Sequence, residues 1–181
     1  MRLPCTLVLL LFVLVKVTSA EAGSSVPQGV VDSWSYLIGN WDVSGEVGST
    51  SVKGKAAFEW GAGKSCYLGK QVWQLGPDEI EVQLALIGGW DAAASQVVEY
   101  GFASSGESGA VHYVTPPQNE FGRLIEGRID GVNEKGERWN GDVTVDRTGP
   151  NEFRLTTTID GEVVHSLKYV RRDDGDGAQT R

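Results

Sequence analysis

The chain has 181 residues, with 16 basic and 24 acidic side chains, a net charge of −8, and 40 % hydrophobic residues including six tryptophans. Acids scattered along an acidic chain argue against nucleic acid as a partner and for a solvated surface. Two histidines and two cysteines, with no His-x-His or Cys-x-x-Cys spacing, make a poor metal inventory.

Residues 1–20 have the pattern of a secretory signal peptide: Arg2 gives a positive start, an apolar run follows from Leu7 to Val15, and small residues stand at Thr18 and Ala20. Nine apolar residues fall well short of the ~20 that span a bilayer. Cleavage after Ala20, or alternatively after Ala22, is expected, and with it export to the periplasm or the extracellular medium. The mature chain then has a net charge of −10, because Arg2 and Lys16 leave without any acid. Cys66 becomes its only cysteine, so no internal disulfide is expected, and on a strand it acts as a small buried hydrophobe. No second long apolar run follows, so no membrane span is expected in the mature chain.

Residues 21–36 form a loose lead-in with a short helical turn, since Val30, Val31, Trp34 and Leu37 recur at spacings of three to four. Such a turn would act as a lid or plug. From residue 37 to 172 the period falls to two, in runs of about ten residues separated by Gly, Pro, Asn and Asp. Trp41, Val43 and Val47 alternate with polar residues, then Val52, Ala56, Phe58 and Trp60. Gly61-Ala62-Gly63-Lys64-Ser65 lacks the first glycine of a phosphate loop and the helix after it, so it is a hairpin turn. Tyr67 and Trp73 lie in the next run, followed by Ile80, Val82, Leu84 and Leu86. Val98, Tyr100 and Phe102 alternate with Glu99; Val111 and Tyr113 flank His112, which is expected to point outward. Leu124–Val132 is mixed, with Ile125 and Ile129 against Glu126, Arg128 and Asp130. Trp139, Val143 and Val145 come next, then Phe153, Leu155, Thr157 and Ile159, and Val163–Arg171 closes the series. Residues 173–181 are a polar tail expected to be disordered.

About ten short-linked strands, each wet on one side, predict an all-β fold: an antiparallel up-and-down β-barrel that hides its edges by closing, with a lumen wide enough for one small ligand. A two-sheet sandwich is the alternative.

The segment Leu37-Ile38-Gly39-Asn40-Trp41-Asp42, a helical turn and then Gly-x-Trp opening the first strand, resembles the start of lipocalins and the wider calycin superfamily. The resemblance implies that Trp41 plugs one end of the barrel and that a late arginine, Arg171 or Arg172, packs across it. The GNWDVSG opening, the run Leu86-Ile87-Gly88-Gly89-Trp90-Asp91 and the closing LKYVRR are most similar to bacterial secreted lipocalin-like domains of unknown function, the DUF1579 type. Nitrobindin-like barrels are more distantly similar. In them a histidine on a late strand ligates haem, which implies His165 as the counterpart here, although GNWDVSGEVG matches their opening only loosely.

The aromatic residues supply a cavity wall, and Phe58, Trp60, Tyr100, Phe102, Trp139, His165 and Tyr169 are the candidate ligand-binding residues, with Gly39, Trp41 and Arg171 as the structural signature. His165 shares a face with Val163, Leu167, Tyr169 and Arg171, and if that apolar face is the interior its imidazole projects into the lumen. The first expectation is an exported protein that binds a small, largely apolar molecule without covalent catalysis. The alternatives are a haem-binding protein using His165, an acid/base enzyme using Glu126, Arg128 and Asp130 in the same lumen, or a structural barrel filled by its own side chains.

Overall fold

A computed structural model of the chain describes residues 26–114 and 124–172. The expected signal segment 1–20 and polar tail 173–181 lie outside the described residues.

Period-two alternation becomes ten antiparallel strands: β1 (Gly39–Val47), β2 (Thr50–Trp60), β3 (Cys66–Leu75), β4 (Ile80–Asp91), β5 (Gln96–Ala103), β6 (Ser108–Tyr113), β7 (Leu124–Val132), β8 (Arg138–Gly149), β9 (Glu152–Ile159) and β10 (Glu162–Arg171). Each strand pairs with the next in sequence, and β1 pairs with β10, Trp41 opposite Arg171 and Val47 opposite His165, so the sheet closes into a barrel rather than a sandwich. Several of the described links are tight. Asp160 and Gly161, both at positive φ (52° and 83°), make the two-residue turn between β9 and β10, and the stretch 61–65 is a turn between β2 and β3.

Helix α1 (Gln28–Leu37) precedes the barrel and is ten residues long, more than the single turn expected. It runs on because its apolar spacing is sustained: Val30 and Trp34 are buried, and Tyr36 and Leu37 pack on the same core. The helix closes one end of the barrel. Trp34 meets Trp60 and Tyr67 edge to face, with ring centroids 6.3 and 5.5 Å apart, while Tyr36 packs on Trp41 and Phe153.

The strands' inner residues form the core, with Trp41, Val52, Val143, Leu167 and Tyr169 almost completely enclosed. Two strands depart from the face read in the sequence. In β5 the interior face is Val97, Glu99, Gly101 and Ala103, so Tyr100 (50 % exposed) and Phe102 (58 % exposed) point outward. Register explains it: Leu86 and Leu84 line the lumen opposite Gly101 and Ala103, and directly opposed residues share a face. In β10 a bulge shifts the register between Val163 and His165, which leaves Val163 outside at 57 % exposure while His165 keeps the inward phase of Leu167 and Tyr169.

Candidate functional site

The closed end is built first. Arg171 lies with its guanidinium carbon 4.3 Å from the centre of the Trp41 ring, and its Nη1 donates to the Ile38 carbonyl at 2.8 Å while Nη2 donates to the Tyr36 carbonyl. Trp41 Nε1 donates to the Leu37 carbonyl at 2.8 Å. The last carbonyls of α1, which a helix end leaves without partners, are thereby taken up by the barrel. Gly39 sits at φ 130°, and a side chain there would meet the Arg171 guanidinium. Arg172 is not part of this arrangement; it approaches Asp42 at 3.9 Å.

Above this floor a cavity of about 530 Å³ runs from α1 to the turns at the opposite end, where Ser105, Glu107 and Glu134 border it. Its wall is mostly aliphatic and aromatic, and its size falls within the range of sites for small organic ligands. Phe58, Trp139, His165 and Tyr169 line it. Trp60 instead packs against Trp34 at the helix end, Tyr100 belongs to the outer surface, and Phe102 neighbours the cavity only at its mouth.

A belt of polar groups crosses the apolar lumen. Glu99 on β5 accepts hydrogen bonds from the Tyr67 hydroxyl on β3, at 2.5 Å, and from the Tyr113 hydroxyl on β6. Gly88, opposite Glu99, makes this possible, because any side chain at 88 would collide with the Tyr67 ring that crosses β4 to reach the carboxylate. Beside this group, Gln71 on β3 is 6 % exposed, and its Oε1 accepts from Trp73 Nε1 and from the Tyr169 hydroxyl, both at 3.0 Å. The Gln71 amide nitrogen has no acceptor among the described residues and borders the cavity.

Burial sets the charge states. Desolvation raises the Glu99 carboxyl above its usual range, and the two tyrosine hydroxyls oppose that rise by bonding to its charged form. Burial, reinforced by the charge on Glu99, pushes Tyr67 and Tyr113 well up, so both remain donors. Tyr169 is raised by burial too and feels Glu99, which places the two halves of the belt together electrostatically.

His165 faces the cavity near its open end, opposite Val47 and Thr157, and burial holds its imidazole below the usual value, hence neutral. The residues around it do not fit haem. Two propionates would meet Glu107 and Glu134 at the mouth or Glu99 within, and Arg147, the one Lys or Arg among the described lining residues, lies at the far end with its guanidinium carbon 3.6 Å above the Tyr36 ring. Glu126, Arg128 and Asp130 project outward, because Ile125 and Ile129 take the inner positions of β7, so an acid/base site in the lumen built on them is ruled out. His112 is on the outer face with them, its Nδ1 3.2 Å from Gln96 Nε2 and its Nε2 3.8 Å from Asp130.

The belt residues Tyr67, Gln71, Glu99 and Tyr113 are absent from the set expected from sequence. For Glu99 alone a signal exists, the cross-strand register of β4, whose inner Leu84 and Leu86 oppose Ala103 and Gly101 and so place Glu99 inside.

No protein-family model matches the chain, and no curated protein matches it. Among solved structures it is similar to a de novo designed fluorescence-activating β-barrel, at 15 % identity and a TM-score of 0.43, over 78 % of this chain and 98 % of that one.

Proposed function

We propose that this is an exported binding protein of the lipocalin-like kind, which holds one small, largely apolar molecule in the barrel lumen and performs no covalent chemistry on it. The cavity of about 530 Å³ carries the reading: a barrel filled by its own side chains would leave no such space, and a wall this apolar releases ordered water when an apolar ligand enters. The polar belt supplies the few directional contacts that orient an occupant. The export half of the reading rests on Arg2, the run Leu7 to Val15 and the small residues before residue 21.

Native mass spectrometry of the protein recovered from a secreting host tests both halves. The expected result is a chain beginning at Glu21 or Gly23, carrying one additional small mass or taking up one equivalent of an uncharged polarity-sensitive dye. Leu84→Trp, which places an indole into the lumen, is expected to abolish dye uptake while the circular dichroism spectrum is kept. Uptake that is unchanged in a folded Leu84→Trp variant would place the dye on the outer surface and sink the proposal.

A further inference from the structure

Among the described residues, the lumen carries one carboxyl group in its wall, Glu99, and two more acids border its mouth. Glu99 is level with Tyr67, and the groups that face it are uncharged: Tyr67 from β3, Tyr113 from β6, Tyr169 from β10 and the amide of Gln71. Two hydroxyls hold the carboxylate in place and occupy two of its roughly four acceptor positions. No lysine or arginine of the wall answers its charge. Arg147 is at the α1 end, stacked on Tyr36, and His165 is neutral and lies toward the mouth. Glu107 and Glu134 at the open end add negative charge along the path of entry.

We propose that the ligand is a cationic amphiphile, an organic ammonium on an aliphatic or aromatic body, whose N–H groups bond to Glu99 while its body fills the apolar lumen. This rests on the binding function proposed above. The ammonium would complete the acceptor positions that Tyr67 and Tyr113 leave open. The pre-bonded carboxylate loses little freedom when the cation arrives. A fatty acid of the same length would instead bring a second negative charge beside Glu99, past two more at the mouth.

The test is displacement of an uncharged dye from the full mature protein by n-octylamine, n-octanol and n-octanoate, which share a chain and differ in head group. The amine is expected to bind about tenfold or more tightly than the alcohol, with the carboxylate weakest. In Glu99→Gln, which keeps the shape and one accepting oxygen but removes the charge, the amine is expected to lose about tenfold while the alcohol changes by less than about threefold. Amine affinity should also fall as acid protonates Glu99, with the alcohol unaffected. Equal binding of all three probes to the unaltered protein would overturn the cation preference and leave the apolar binding function intact, a comparison that needs no variant to fold. If neither the dye nor any probe binds, the binding function itself fails, and this inference with it.

Discussion

Glu99 and His165 make opposite demands on pH. Burial raises the Glu99 carboxyl, so folding favours its protonated form: its contribution is fully present below the unfolded carboxyl pKa and is lost as pH climbs through the higher folded value. Burial lowers His165, so folding favours the neutral imidazole: that contribution is present above about 6.5 and is lost as pH falls through the lowered value. Glu99→Gln should therefore flatten the decline on the alkaline side of the carboxyl range. His165→Leu should flatten the decline below 6.5. Urea titrations at several pH values check both. Gly88 offers a sharper test of the belt. Gly88→Ala puts a methyl group into the space of the Tyr67 ring, and a loss of about 1–3 kcal/mol in thermal unfolding is expected.

Among the elements, the closed end depends on α1 being tied to the barrel by a few polar contacts. Arg171→Ala removes the stack on Trp41 and the bonds to the Ile38 and Tyr36 carbonyls, and should cost about 2 kcal/mol in urea unfolding. Phe102→Ser, on the outer face of β5, should stay within about 0.5 kcal/mol. The contrast between these positions shows what the sequence makes visible. Where a strand is dry on one side and charged on the other, as in β2 with Val52, Ala56 and Phe58 against Lys53, Lys55 and Glu59, alternation alone assigns the faces. In β5 it misleads, because the strand carries its charge inward and large apolar groups outward. The burial of Glu99 is compensated by hydroxyls from β3 and β6, partners that no reading along a single strand contains. The bulge in β10 has the same character: nothing in Val163-Val164-His165 marks the residue that leaves the ladder. The candidate site was accordingly half legible. Phe58, Trp139, His165 and Tyr169 follow from aromatic and late-strand patterning, whereas Glu99 and Gln71 become visible only with cross-strand register.

At the scale of the whole molecule, nine of the ten strand pairings join neighbours in sequence, and one, β1 with β10, joins residues more than a hundred positions apart. That seam separates local from global order in time. Hairpins can assemble successively at modest entropic cost, while the closing pair must bring together the two ends of the strand series. Closure is therefore expected to be the last event in folding and the first in unfolding. Gly45→Ala, whose methyl group would press on the Ser166 carbonyl across the seam, should accelerate unfolding and leave the refolding rate within about twofold in stopped-flow measurements. Equal slowing of refolding would mean that the ends meet early. A barrel that opens first along this seam would also let its occupant escape sideways between two strands, at a rate set by seam breathing rather than by the width of its mouth.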